Sequence, residues 1–171
     1  MITLQVEESH MQHAIDSLIR SAFRDHPLSR QTEHLIVRGL RDGGALSLSL
    51  VALDTGHSVV GHCALSPVTL SDGAPGWYGL GPVAVMPDRQ RQGIGSAMIA
   101  EGLARLRREG ATGCVLLGDA RYYGRFGFAT HASLVLPGAP ASHFMAMSFG
   151  GPVPSGTVRF HAAFDCEPEG A

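Results

Sequence analysis

The fold class the sequence predicts is a single mixed α/β domain, and three observations carry it. Three segments place apolar residues at helical spacing, and short alternating or apolar runs that read as strands lie between and after them. No internal repeat and no long linker divides the chain, and 171 residues is the size of one domain. Such a chain buries roughly two-thirds of its unfolded surface and needs no disulfide or metal staple.

The elements follow in order. Ile2–Val6 alternates and reads as a short strand. Over Glu8–Phe23, Met11, Ala14, Ile15, Leu18 and Ala22 recur with helical period, with Ser9 placed to cap. Asp25–Leu28, containing Pro27, is a break. Arg30–Arg41 is a second helix with Leu35, Ile36 and Leu40 inward, stopped by Gly43–Gly44. Leu46–Leu53 and Ser58–Leu65 read as a hairpin about the turn Asp54-Thr55-Gly56. Ser71–Gly76 turns the chain into a strand over Trp77–Met86. Arg91–Arg108 is a helix with the stripe Ile94, Met98, Ile99, Leu103 and Leu106, closed by Gly110. Val115–Leu117 is a buried strand, Ala120–Phe126 a short helix, and Phe128–Leu136, His143–Phe149 and Thr157–Phe164 are further strands. The order is βααβββαβαβ with a β tail.

Composition removes several function classes. All 13 basic residues are Arg, so the chain has no lysine for a Walker-type P-loop or for a Schiff base. A net charge of −2 is not that of a nucleic-acid binder or of a protein drawn to anionic membranes. Cys63, Cys114 and Cys166 are odd in number and widely spaced, which reads as reduced thiols. His10 and His13 lack the neighbouring ligands a metal needs. The N-terminus carries Glu7 and Glu8 with no basic n-region, and the Ala45–Leu53 stretch is too short to span a bilayer. A soluble, cytoplasmic protein without a metal is expected.

One stretch carries chemistry: Leu80-Gly-Pro-Val-Ala-Val-Met-Pro-Asp-Arg-Gln-Arg-Gln-Gly-Ile-Gly-Ser96. It reads as a strand, a loop dense in Arg, Gln and Gly, and a helix start. The first turn of a helix presents free N–H groups at the positive end of its dipole, so an anion is favoured there. Gly93 and Gly95 lack a Cβ and let a phosphate approach the backbone. Arg89 and Arg91 add charge, and Ser96 adds a donor. This is a cradle the size of a pyrophosphate. A dinucleotide fingerprint does not fit, because Met98 stands where its third glycine belongs. Pro82 inside the strand removes a ladder donor and marks a strand that splays from its neighbour, opening backbone groups to an extended ligand.

Gln90-x-x-Gly93-x-Gly95 resembles the Q/R-x-x-G-x-G/A signature of the GNAT superfamily of acetyl-CoA-dependent N-acetyltransferases. Tyr122-Tyr123-Gly-Arg-Phe-Gly-Phe128 resembles the same superfamily's Y-x-x-x-G-F block, and the full pattern is similar to its YhbS-type branch. The likeness covers about residues 56–129. It implies one GNAT-type domain over 1–171: a mixed central β-sheet with a splayed strand, flanked by about four helices. It implies acetyl-CoA as co-substrate and a primary amine of a small molecule or peptide as acceptor, with a homodimer among the expectations. Val83, Ala84 and Val85 would pair with the pantetheine arm. Gln90, Arg91, Gln92, Gly93, Ile94, Gly95 and Ser96 would hold the pyrophosphate.

The implied reaction is attack of a neutral amine on the acetyl thioester. N–H donors near Val85 would stabilise the oxyanion, where loss of one donor typically costs about 10²–10³ in rate. Tyr123 stands where the family places its general acid; a tyrosine, with a reference pKa of about 10, holds its proton at neutral pH. Tyr122 is the alternative acid. The base is open between His62, Asp119 and water, since no carboxylate lies on Trp77–Met86. Asp119 also reads as a helix cap, and Gly118-Asp119-Ala120 replaces the Asn that often binds the cofactor arm in the family. A reading from another class stands beside the enzyme: a non-catalytic acyl-CoA-binding or sensor domain.

Overall fold

The structure is a computed structural model, and it describes residues 1–170. Among these residues, nine strands form a six-stranded sheet, with hydrogen-bonded order β1-β2-β3-β5-β6-β8, and a small sheet of order β4-β9-β7. Four α-helices accompany them. The mixed α/β class predicted from sequence is the class observed. By its contacts the chain divides into two compact units, one of Met1–Leu65, Gly81–Gly102 and the tail from Ala162, the other of Ser66–Leu80 and Leu103–His161.

In the first unit, β1 (Thr3–Val6) pairs antiparallel with β2 (Leu48–Leu53), and β2 with β3 (Val59–Pro67). The β2–β3 turn is held by Asp54, whose Oδ1 accepts from the N–H groups of Gly56 and Ser58, each at 2.9 Å. One sheet face carries Val51, Leu53, Ala64 and Ala84, packed on Met11, Ile15, Leu18 and Ile19 of the first helical segment and on Val37. These helices are α1 (Gln12–Phe23) and α2 (Glu33–Asp42). The opposite face packs on α3 (Ile94–Arg108). A Cβ at Gly61 would meet Met98 Cε at 2.9 Å and Ile94 Cγ2 at 3.0 Å, so this glycine is what lets α3 lie close to β3.

The second unit is built on β6 (Gly113–Leu117) and β8 (Phe144–Ser148), which pair antiparallel. The parallel ladder between β5 (Trp77–Val85) and β6 covers Trp77–Gly79 against Gly113–Val115 and ends there, before Pro82. The small sheet joins β4 (Thr69–Leu70), β7 (Leu134–Val135) and β9 (Gly156–Arg159). Trp77, Val115, Phe144 and Ala146 form its core with Val68, Leu70, Leu134 and Val158. A short helix α4 spans Ala120–Tyr123.

Several boundaries differ from the sequence reading. The first helix opens with a 3-10 turn whose cap is Glu8, not Ser9. The second begins at Glu33 instead of Arg30, because Gln31 takes a left-handed φ of 61°. The third begins at Ile94 instead of Arg91, since Arg91 (φ 62°) and Gly93 (φ 83°) are left-handed. The strand expected over Phe128–Leu136 is reduced to Leu134–Val135 and one bridge from Ala129 to Ala146. The strand expected over Thr157–Phe164 ends at Arg159; Ala162–Asp165 is a 3-10 turn, with the Ala163 Cβ packed against Gly39 of α2.

Candidate active site

The loop that the sequence reading takes for a phosphate cradle lies in the first unit, where the chain passes from β5 to α3. After Val85 it makes a 3-10 turn over Pro87–Arg89 and reaches α3 through Gln90–Gly93. The left-handed φ angles at Arg91 and Gly93 turn this loop so that it delivers the chain to the amino end of a 15-residue helix. Ala97 N already bonds Gly93 O at 3.0 Å, so the helical ladder starts at Gly93 and the preceding N–H groups stand outside it. A Cβ built at Gly93 meets nothing within 4 Å, so the space over the loop is open. Arg91, Gln92 and Gly93 are exposed, Gly95 and Ser96 half-buried, and Ile94 is a core residue.

The loop is braced from within. Gln90 Nε2 donates to Val85 O at 3.2 Å, tying the signature glutamine back to the end of β5. Gln92 Nε2 donates to Asp88 O at 3.4 Å. Arg89 is engaged elsewhere: its Nη1 lies 3.6 Å from Asp54 Oδ2 and its Nε donates to Gln92 at 3.4 Å. Of the two arginines singled out in the sequence, the exposed cation with no ion pair among the described residues is Arg91. Val83 and Val85 are half-buried, while the Ala84 side chain between them packs in the core.

Tyr123 belongs to the second unit. α4 is capped by Asp119, whose Oδ1 accepts from Arg121 N at 2.8 Å and whose carboxylate also pairs with the Arg121 side chain. Those hydrogen bonds hold the Asp119 carboxyl below the ordinary range. A group so held is a weak base, and the cap is the role its geometry serves. The Tyr123 ring stacks edge-on against Tyr122, with centroids 4.9 Å apart, and against Phe128 at 6.2 Å. Arg125 lies over Tyr122, 4.9 Å from its centroid. Sequence reasoning missed Gly118 as a site residue. A Cβ there would fall 2.3 Å from Tyr123 Cε2, so the glycine makes room for the ring.

His62, one of the open choices for the base, is fully buried in the first unit. Burial pushes its pKa down to about 4, against the pull of the Glu7 carboxylate. Among the described residues no group of three or more His, Cys, Asp or Glu is placed to hold a metal ion, and no helix is long and apolar enough to cross a membrane.

The sequence profile of the Acetyltransferase (GNAT) family matches residues 12–128, which includes the cradle and the tyrosine block. The chain belongs to this family. Within the GNAT family it is 38% identical over 122 residues to the uncharacterized N-acetyltransferase YhbS of Escherichia coli K12, spanning 70% of each chain. Its fold is similar to a GNAT family acetyltransferase from Brucella melitensis, solved in complex with acetyl-CoA. That match has a TM-score of 0.86 and 45% identity, covering 96% of this chain and 99% of the other. It is also similar to Escherichia coli YhbS solved in complex with CoA, with a TM-score of 0.87 and 32% identity over 96% and 92% of the two chains.

Proposed function

We propose that this GNAT chain works as one N-acetyltransferase domain that transfers the acetyl group of acetyl-CoA to a primary amine of a small molecule or peptide. The observation that carries the reading is the open, left-handed loop at the amino end of α3, with Arg91 exposed over it. Its shape and charge fit a pyrophosphate. The relatives solved with acetyl-CoA and with CoA support the choice of ligand.

In this reading the N–H groups of Arg91–Ser96 hold the pyrophosphate, and the backbone of Val83–Val85 pairs with the pantetheine arm. The Val85 N–H donates to the carbonyl oxygen as it gains charge. The amine nitrogen bonds the acetyl carbon and gives up one proton to water, the carbon–sulfur bond breaks, and Tyr123 gives its phenolic proton to the departing thiolate and regains one from solvent. The test is thiol release from acetyl-CoA over a panel of primary amines, comparing the wild type with Tyr123→Phe. Turnover that falls about 10²-fold or more in the variant, with acetyl-CoA still raising the melting temperature, is the expected result. Acetyl-CoA binding without turnover on any amine makes the chain a sensor instead.

A further inference from the structure

The segment from Ala162 belongs to the first unit and lies on its helix pair, with the 3-10 turn over Ala162–Asp165 packed on α2. Beyond that turn no backbone–backbone hydrogen bond involves residues 166–170 among the described residues, so side chains hold this stretch in place. Arg30 Nη2 donates to Glu167 Oε2 at 3.2 Å. Glu169 makes the tighter contact: its Oε1 lies 2.8 Å from Arg20 Nη2 and 2.6 Å from His34 Nε2.

α1 and α2 meet along a row of charges. Asp16 of α1 accepts from Arg20 Nε on its own helix at 2.8 Å and from Arg38 Nη2 of α2 at 2.9 Å. One turn along, α1 presents Arg20 and α2 presents His34, two donors facing one point. Glu33, the acid beside His34, is taken up by Ser29 Oγ at 2.7 Å. The carboxylate that completes this rung is therefore brought in by the tail.

Hydrogen bonds from His34 and Arg20 hold the Glu169 carboxyl below the ordinary range, so at neutral pH it is ionised and only accepts. His34 then donates from Nε2. With His34 only 6% exposed, that N–H has little access to water and needs an acceptor from the protein or a ligand. The Arg20 and Glu169 side chains are 44% and 52% exposed. The site thus has a buried donor at its floor, a cation at its rim and an opening to solvent. It requires an anion, and nothing in its geometry requires that anion to be Glu169. Asp16 already shares the charge of Arg20, so what remains matches a single carboxylate better than a doubly charged phosphate.

We propose that Arg20, His34 and Arg30 form a docking site for an acidic segment with carboxylates spaced Glu-x-Glu, and that Glu167 and Glu169 are its exchangeable occupant in cis. When the acidic segment of a partner takes the site, residues 166–170 leave the helix pair. The tethered occupant competes at an effective concentration in the millimolar range, so the site is closed by default. Nothing in it draws on acetyl transfer.

Cys166 reports on the exchange, because it lies half-buried in the same stretch while Cys63 and Cys114 are buried. The rate at which a thiol reagent adds one label to the folded full chain is the measurement. Glu169→Gln is expected to take up that label about 5-fold faster than the wild type, and the wild type itself to speed up as salt screens the pairs. Arg30→Gln, which removes the Glu167 pair and leaves His34 its acceptor, is expected to act in the same direction by about 2-fold. A synthetic Ser-Glu-Pro-Glu-Gly peptide, blocked at both ends and at about 10 mM, is expected to speed labelling of the wild type at least about 2-fold at matched ionic strength. The same peptide with both Glu replaced by Gln is expected to leave the rate unchanged. Wild-type rates in both variants overturn the contact, and an equal response to the two peptides, or to neither, overturns the exchangeable site.

Discussion

The Tyr123 ring occupies the space that a side chain at residue 118 would need: a Cβ on Gly118 would sit 2.3 Å from Cε2 and 2.6 Å from Cδ2 of that tyrosine. Gly118→Ala therefore forces the ring or the β6–α4 turn to move. Overpacking of this kind costs about 1–3 kcal/mol. The expected outcome is a lower melting temperature together with a kcat at least about 10-fold down, because in the proposed mechanism a displaced Tyr123 donates poorly. Acetyl-CoA is still expected to raise the melting temperature of the variant, since the cradle lies elsewhere in the chain. Wild-type kcat in Gly118→Ala would show that the ring's position is immaterial.

Arg91 gives a prediction in which stability and binding move in opposite directions. It holds a left-handed φ of 62°, which costs an L residue roughly 1 kcal/mol more than it costs glycine. Arg91→Gly relieves that cost and removes the exposed cation of the cradle. The melting temperature of the free protein should hold or rise slightly. Affinity for acetyl-CoA should fall by about 2–5-fold, the size of one exposed ion pair, and the loss should shrink as salt is added. Calorimetric titration at low and high salt checks it; an affinity unchanged at low salt removes Arg91 from the site.

The proposed cradle can be read from the sequence because its chemistry is local. Gln90, Gly93 and Gly95 lie within one loop, and a helix amino terminus needs no distant partner to attract an anion. What is not legible depends on long-range packing. Arg89 reads as a phosphate ligand until the β2–β3 turn brings Asp54 to 3.6 Å from it. Gly118 stands in the sequence only as part of the stretch that replaces the family's Asn, until Tyr123 is seen against it. His62 reads as a lone strand histidine; its link to Arg41 runs through Glu7 and Ser49, residues from separate segments. The C-terminal stretch reads as strand from its apolar residues, yet these serve packing on α2, where a Cβ built on Gly39 would lie 3.0 Å from the Ala163 Cβ, and not a ladder.

The polar link from His62 through Ser49 and Glu7 to Arg41 sets how the protein responds to acid. His62 titrates at about 4 when folded and near its ordinary 6.5 when unfolded, so the unfolded chain binds more protons between these values and stability falls as pH drops through that window. From neutral pH to about pH 4.5 this histidine alone withdraws roughly 2–3 kcal/mol. Glu7, with its pKa lowered on folding, acts in the same sense but begins lower: its contribution is complete above its unfolded value and is lost as pH falls below it. Urea denaturation at neutral pH and near pH 5 should show the decline before the carboxylates titrate. A flat stability profile down to about pH 5 would contradict the buried neutral histidine.

Ser66 offers the opposite test, a substitution expected to stabilise. It is 0% exposed on β3, and its Oγ has no hydrogen-bond partner among the described residues. A buried hydroxyl without a partner costs about 1–3 kcal/mol of desolvation. Ser66→Ala removes the oxygen and leaves a void of only one atom, whose lost packing contacts are small beside that cost. The net gain expected is roughly 0.5–1 kcal/mol, or about 1–4 °C in melting temperature for a chain of this size. Thermal and urea denaturation of Ser66→Ala should agree on the sign. A clear loss of stability would mean that the hydroxyl has a hydrogen bond in solution, and that its burial is compensated after all.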